Sequence, residues 1–569
     1  MSPTQIGFMK GKRTADHVFV LKCIIEEAKA RHETIFSCFV DLKKAFDTVW
    51  REGLFYKLLF YYRVSHKYVR IFASMYEQLH GMVKVNDNIS QTFPINIGLR
   101  QGCNLSPTLF NLYINDLPNI LVKGECYPVS LNSHNINLLM YADDIVLLST
   151  SKRGLQKALN ILEIYCQKWQ LVVNIKKTRV MILNSRTHVT FTYSSEELET
   201  VCEFKYLGVI IHKSGTFTSA IKDLSGRAVR AYCKIKSVLK GEKQSPRLFV
   251  KLFDTMVKPI SLYCSEAWGG FSINKKHKDN ILDYLLNKDR TPFENLNLRL
   301  CKQALKITPK ASNLASRAEL GRIPLAKSII VAVLKYYARS VTIGEDTLLY
   351  HAFQSQKSRP RNSNSTLTFV QTADALLQQL GLTNLSDFLL TGQTTKDAIN
   401  RCSKKVKDKC IAYYLKYVND LLETGKVAPG FKLQLYAYLK KDYAYEKYLD
   451  QGHISRSELT KFRLSNHWLP IERERYKKNK PTRNKRRCIL CNNALGNELH
   501  ALLRCTHGKL LAAREKYLGS ISNISCQMRN LNDADKLVYL LSGNDQDILT
   551  HLFKWLAICN ATYKEAYTC

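Results

Sequence analysis

The sequence has 569 residues, 45% of them hydrophobic, with 85 Lys and Arg against 48 Asp and Glu for a net charge of +37. That is chain enough for three or four domains with packed cores, and a basic excess far beyond what solubility requires calls for a polyanionic partner. Membrane-spanning and secreted classes are excluded from the reading: the longest apolar runs, such as IIVAVL (329–334), are too short to cross a bilayer, the opening MSPTQIGFMKGKRT has no apolar signal core, and 17 Cys in such a chain read as reduced, intracellular thiols.

In chain order, Gly7 and Gly11 bracket a turn to which Lys10, Lys12 and Arg13 bring charge, ahead of a helix at about 15–30. An apolar strand, FSCFV (36–40), then delivers Asp41 at its end. The spacing of Phe46, Val49, Trp50, Leu54 and Leu58 predicts a helix over 43–62, with Asp47 a structural residue that caps or forms an ion pair. A second helix is predicted over 66–80. MVKVN (82–86) and TFPIN (92–96) read as a hairpin around Asp87-Asn88. In GLRQGCNLSP (98–107), Gly98 and Gly102 allow close backbone approach, and Ser106-Pro107 reads as cap and first turn of a helix over 107–121 that presents Phe110 and Tyr113 to a core.

The tetrapeptide Tyr141-Ala142-Asp143-Asp144 lies between two apolar segments of strand length, INLLM (136–140) and IVLLS (145–149). Two adjacent Asp residues favour a turn, so this reads as a β-hairpin with both carboxylates at its tip. Carboxylates so close resist ionisation unless something positive sits between them, and a divalent cation such as Mg²⁺ suits that place. With Asp41 as third ligand the set becomes a two-ion site for phosphoryl transfer.

A helix over 152–169 follows, amphipathic through Leu155, Leu159, Leu162, Tyr165, Cys166 and Trp169. Helices near 218–240, 246–264 and 293–306 carry Lys and Arg on one face. Residues 354–366 are polar and read as a linker or exposed loop, and 370–450 as helical. From Arg473 to Arg487, nine of fifteen residues are Lys or Arg, leading into Cys488-x2-Cys491-x8-His500-x4-Cys505. Such ligands at such spacing suit tetrahedral Zn²⁺. Chance clustering is the competing reading, and His507 is an alternative to His500.

Five stretches, FVDLKKAFDTVW (39–50), GLRQGCNLSPTLFNLYINDL (98–117), YADD (141–144), NIKKT (174–178) and KYLG (205–208), occur in an order and spacing that resembles the reverse transcriptase of a non-LTR (LINE-like) retrotransposon. The resemblance implies an α+β right-hand polymerase: partial fingers and an antiparallel-sheet palm over 1–215, a helical thumb over 216–340, a helical basic connection over 341–460, a basic arm with a zinc-like module over 461–520, and a helical tail over 521–569. It implies RNA-directed DNA polymerisation from dNTPs onto a primer 3′-OH, with two Mg²⁺ on Asp41, Asp143 and Asp144. Lys177 is then a general acid toward pyrophosphate or, equally, a solvated lysine. Phe46, Arg100, Gln101, Gly102 and Arg13 are expected at the dNTP, Phe46 excluding a 2′-OH by bulk unless it is only core. Lys205, Tyr206, Leu207 and Gly208 are expected at the primer end. Zn²⁺ is expected on Cys488, Cys491, His500 and Cys505.

The implied partners are an RNA template, a DNA primer or target, and dNTPs, with no membrane, in the nucleus or cytoplasm. The family's earlier fingers segment is not in the sequence, so the resemblance is to an N-terminally truncated copy. A catalytically impaired nucleic-acid-binding remnant is the alternative, and an RNA-directed RNA polymerase a third reading that Phe46 argues against.

Overall fold

The strand ending at Val40 lies inside a four-stranded antiparallel sheet. Numbering the strands as β1 (Ile35–Val40), β2 (Leu138–Tyr141), β3 (Asp144–Ser149) and β4 (Arg179–Leu183), the order is β4-β1-β3-β2. The β1–β3 register pairs Phe36 with Ser149 and Val40 with Ile145, and the β2–β3 register closes with Tyr141 opposite Asp144. The structure, a computed structural model, describes residues 1–185, 189–238, 245–271, 273–359, 366–382, 395–424, 434–451, 453–477, 479 and 481–568. They divide into two units. One is Met1–Asp223 with Cys264–Ile281 and Ala332–Thr395, and the other is Leu224–Tyr263 with Leu282–Val331 and Lys396–Cys569.

In the first unit, side chains alternate across the sheet as the pleat requires. Cys38, Val40, Met140, Ile145, Leu147, Val180 and Ile182 share one buried cluster with Leu155, Leu159 and Leu162 of the helix Lys152–Lys168. That helix starts where Ser151 accepts a hydrogen bond from the Gly154 N–H, and burying each of its leucines contributes about 1.5–3 kcal/mol. Phe39 points to the opposite face, where it stacks on Phe204 at 4.5 Å between ring centres. Phe204 belongs to a hairpin of β5 (Glu203–Tyr206) and β6 (Val209–His212), joined by Leu207 and Gly208, both at positive φ, as a two-residue hairpin turn demands. The helix Thr14–Ala30 is buried along most of its length, with Phe19 packed edge-on to Tyr336 and Phe369.

Several boundaries differ from the sequence expectation. The helix predicted over 43–62 begins only at Arg51 and widens to a π-turn at Lys57–Tyr61, because residues 43–48 are drawn into turns. The Lys43 N–H donates to Val172 C=O, and Phe46 and Val49 carbonyls accept from Leu99 and Gly98. Long-range partners thus outcompete the i→i+4 pattern there. The helix predicted over 66–80 ends at Ser74. MVKVN does not pair with TFPIN: Lys84–Val85 pairs with Asn88–Ile89 around a turn at Asn86-Asp87, and Phe93–Pro94 pairs with His80–Gly81.

The helix predicted over 107–121 takes in Ser106 as its first residue, so Ser106 is not its cap, and it stops at Ile114 before a second helix, Leu117–Lys123. Pro118 has no N–H to offer the Ile114 carbonyl. Of the expected linker 354–366, residues up to Ser358 end the helix Leu348–Ser358 and 360–365 lie outside the described residues.

The second unit is helical, including Pro292–Ala304, Asn313–Glu319, Thr395–Thr424, His453–Arg463, Gly508–Ile524 and Leu549–Thr568. Its core holds a polar knot. Glu319, fully buried, accepts from Arg463 Nε (2.6 Å), Tyr448 Oη (2.6 Å) and Tyr436 Oη (2.8 Å). Among the described residues no helix is long and apolar enough to cross a membrane, and the described cysteines are free thiols.

Candidate active site and metal centre

The register of the sheet brings the acids together. Because Val40 lies opposite Ile145, Asp41 leaves the end of β1 beside the point where Asp144 opens β3. By strand alternation both fall on the Phe39 face, away from the helix-backed core. Asp143 occupies the two-residue turn with Ala142, whose φ is +52°, uncommon for a residue with a Cβ. The expectation of two carboxylates at the tip is met by Asp143, whereas Asp144 is the first residue of its strand.

The acids act on one another. Loss of hydration in the cleft, with the charges of Asp143 and Asp41 added, pushes the Asp144 carboxyl up to about 6. Burial and the Asp41 charge raise Asp143 as well, against an opposing backbone hydrogen bond. Carboxyls that burial, with one another's charge, holds above the ordinary carboxylate range suit a hard divalent cation.

Asp41 is held from behind. Asn174 donates from Nδ2 to Asp41 Oδ2 (2.9 Å) and from its backbone N–H to the Asp41 carbonyl (2.7 Å). Thr178 Oγ1 accepts from the Asp41 N–H at 3.3 Å. Lys177 Nζ stands 3.9 Å from Asp41 Oδ2, with its side chain 71% exposed, so this pair contributes little stability and the ammonium is free to meet a ligand. The sequence marked this stretch as a motif, but the tie from Asn174 and Thr178 to Asp41 was not legible in it.

Asp41, Asp144, Lys177, Lys205 and Tyr206 line one cleft of about 370 Å³. The Tyr206 hydroxyl shares a hydrogen bond with His17 Nδ1 (3.2 Å), and Lys205 Nζ stands 3.7 Å from Asp223. Asp143, Leu207, Gly208, Phe46, Arg100, Gln101, Gly102 and Arg13 are not among the cleft's lining residues. Phe46 stacks on Phe110 at 4.7 Å, and Phe8 meets both Phe46 (6.4 Å) and Tyr141 (6.3 Å), which links it to the acid-bearing turn. Gln101 Nε2 donates to Asp47 Oδ1 at 2.8 Å, so Asp47 serves as a hydrogen-bond acceptor.

A Cβ on Gly98 would lie 2.5 Å from the Asp47 carbonyl oxygen, as close approach requires. Gly102 has open space around it, and its glycine answers to a φ of +83° instead. Arg100 and Arg13 are exposed, and the Arg13 N–H donates to Asp16 at the start of its helix.

In the second unit Cys488, Cys491, His500 and Cys505 offer four ligand atoms within 4.8 Å of one another, and His507 is not in that set. Cys488 Sγ and Cys505 Sγ are 3.9 Å apart, and Cys491 Sγ is 3.2 Å from His500 Nε2. A tetrahedral ion with Zn–S bonds of about 2.3 Å needs S···S edges of about 3.8 Å. Burial and the Arg514 and Arg504 charges lower the His500 pKa, which keeps its imidazole in the neutral, ligating form. Tyr563 of the helix Leu549–Thr568 brings its hydroxyl to 3.0 Å from Cys488 Sγ.

Residues 1–211 match the model of the reverse transcriptase (RNA-dependent DNA polymerase) family. They are a reverse transcriptase domain. The relatives it resembles are, more narrowly, RNA-directed DNA polymerases and Pol polyproteins of transposons and retrotransposable elements. The chain is 30% identical over 296 residues to a probable RNA-directed DNA polymerase from transposon BS of Drosophila melanogaster, covering 50% of this chain and 32% of that one. It is 28% identical over 274 residues to the RNA-directed DNA polymerase from mobile element jockey of Drosophila funebris, covering 47% and 29%. The Pol polyprotein from the type-2 retrotransposable element R2DM of Drosophila melanogaster is 25% identical over 299 residues, covering 50% and 27%. The match thus spans about a third of the length of these relatives. Among solved structures, apo telomerase from Candida tropicalis aligns with a TM-score of 0.31 and 12% identity over 61% of this chain and 57% of that one.

Proposed function

We propose that this chain is the RNA-directed DNA polymerase of a non-LTR retrotransposon, extending a primer 3′-OH with dNTPs on an RNA template. The observation that carries the reading is the register that sets Asp41 at the end of β1 beside Asp144 at the start of β3, with Asp143 in the adjoining turn, within a reverse transcriptase domain. Those three carboxylates would hold a pair of Mg²⁺, which would supply the neutralising charge that phosphoryl transfer needs. The chain's own residues do the rest. Asn174 fixes the rotamer of Asp41. Lys177, exposed at the cleft, donates a proton to the leaving pyrophosphate. Phe46 bars a 2′-OH, while Arg100, Gln101, Gly102 and Arg13 meet the nucleotide. Lys205, Tyr206, Leu207 and Gly208 hold the primer end.

In this reading 1–215 are fingers and palm, 216–340 thumb, 341–460 a basic connection, 461–520 an arm with a zinc module, and 521–569 a tail. Exposed Lys222, Arg230 and Lys234 of the helix Thr218–Val238 suit phosphate contacts indifferent to sequence. The four Cys and His ligands hold Zn²⁺ and, with the basic run before them, grip template or target.

The test is primer extension on an RNA template with Mg²⁺ and dNTPs. Extension that disappears in Asp143→Ala, and that rNTPs do not support, is the expected result. No extension by a chain that still binds the primer–template duplex would overturn the reading in favour of a binding remnant.

A further inference from the structure

The stretch before the first helix does more than lead into it. Thr4–Ile6 runs alongside β2: the Met140 N–H donates to Thr4 C=O (2.8 Å) and the Ile6 N–H to Met140 C=O (3.0 Å), with Gln5 opposite Met140 in a parallel bridge. Gln5 is 1% exposed. Its Oε1 accepts from the Ala142 N–H (2.9 Å) and the Gly7 N–H (2.9 Å), and its Nε2 donates to the Ala142 carbonyl (3.3 Å). One side-chain amide thus holds both polar groups of the backbone unit that carries the turn.

That unit needs holding. Ala142 sits at φ +52°, a conformation that persists in a residue with a Cβ only where its surroundings impose it. Gly7 lies against the same place, since a Cβ there would fall 2.3 Å from the Ala142 nitrogen. Gly7 is itself tied down through Asn111 Nδ2, which donates to its carbonyl at 2.7 Å from the helix Ser106–Ile114. The chain of contacts runs from a core helix, through Gly7 and Gln5, to the residue immediately before Asp143.

We infer that Gln5 is a positioning residue for the carboxylate pair, fixing the Ala142 turn so that Asp143 and Asp144 present their oxygens to a divalent cation. The inference rests on the metal role proposed for those acids. With Gln5 replaced by an apolar side chain of similar length, the Ala142 and Gly7 N–H groups lose their shared acceptor, and the turn is released toward a commoner backbone conformation. The carboxylates then no longer arrive pre-arranged. Outer-shell partners of metal ligands typically affect metal affinity about 10–100-fold.

The experiment is a Mn²⁺ titration of the full chain followed by electron paramagnetic resonance, with Mg²⁺ as competitor, on wild type, Asp143→Ala, Gln5→Met, Gly7→Ala and Leu162→Ala. Leu162 shares the buried cluster of Ala142 but offers no hydrogen bond to the turn, so its truncation controls for lost packing without loss of the amide contacts. Hydrogen exchange at the Ala142 amide supplies a second readout. The expected result is Mn²⁺ binding lost in Asp143→Ala, about 10-fold or more weaker in Gln5→Met and Gly7→Ala, and unchanged in Leu162→Ala, with faster exchange at Ala142 in Gln5→Met. Wild-type affinity in a folded Gln5→Met protein would overturn the inference alone. A wild-type chain that binds no Mn²⁺ displaceable by Mg²⁺ would overturn the metal reading and this inference with it.

Discussion

Asn174 and Asp41, 133 positions apart, are joined twice, side chain to side chain at 2.9 Å and backbone to backbone at 2.7 Å. The first bond fixes which lone pairs of Asp41 face the cleft, and the second fixes the strand end that carries it. Asn174→Leu keeps the volume and the backbone bond but frees the carboxylate. Single-turnover extension by this variant is expected to fall about 10–100-fold with little change in half-saturating dNTP, since the residues proposed to meet the nucleotide are untouched. A weakened dNTP affinity with an unchanged rate would assign Asn174 to the nucleotide instead.

His17 gives the domain an acid-sensitive joint. It is 1% exposed, and burial, with the nearby Lys12 charge, lowers its pKa to about 3. Above about pH 6.5 the imidazole is neutral both folded and unfolded and adds no pH dependence. Below that the unfolded chain takes up a proton that the folded one refuses, so stability falls with falling pH by up to about 1.4 kcal/mol per unit until the folded pKa is reached. Urea unfolding of wild type between pH 7 and 4 is expected to show this slope, and His17→Gln to flatten it. His17 meets Tyr206, which precedes the turn proposed to hold the primer end.

The Cys/His cluster of the second unit carries its own prediction. Tyr563 is fully buried with its hydroxyl 3.0 Å from Cys488 Sγ, a donor well suited to stabilise a thiolate. Tyr563→Phe keeps the ring and removes that bond. Zn²⁺ affinity, read by competition with a chromophoric chelator, is expected to drop about 10-fold, and chelation of the wild-type protein to raise hydrogen exchange in the helix Leu549–Thr568. Equal affinity in the variant would mean that the hydroxyl only packs.

What the sequence revealed and what it hid divide along physical lines. The acid hairpin, the strand ending at Asp41, the amphipathic helix over 152–169 and the Cys/His spacing were legible because each is written in local periodicity or ligand spacing. The break at residues 43–48 was not, since the pattern of Phe46, Val49 and Trp50 is helical and the competing partners, Val172, Gly98 and Leu99, come from elsewhere in the chain. Gln5 was hidden for the same reason. Nothing in TQIGF announces that its amide will meet a turn 137 positions away. Asn174 was visible as part of a motif, but its bond to Asp41 is a property of the fold.

The same non-locality sets the stability of the second unit. Arg463 is completely buried; it donates from Nε to Glu319 and from Nη1 to the Leu541 (2.8 Å) and Ser542 (2.7 Å) carbonyls. Glu319 satisfies Tyr436 and Tyr448 as well, and a second carboxylate, Glu446, stands 3.3 Å from Arg463 Nη2. Replacing such a pair by apolar residues can be nearly neutral, but removing one partner strands the other charge in the core. Glu319→Leu alone is therefore expected to cost about 3–5 kcal/mol, and Glu319→Leu with Arg463→Met less than the sum of the two single changes. Denaturant unfolding of the three variants measures the coupling directly. Additive losses would mean that the two groups are stabilised by Glu446 and by their backbone and tyrosine partners and not by each other, whereas a large positive coupling would mark this pair as a contact that ties Asn313–Glu319 to His453–Arg463 across 144 residues of sequence.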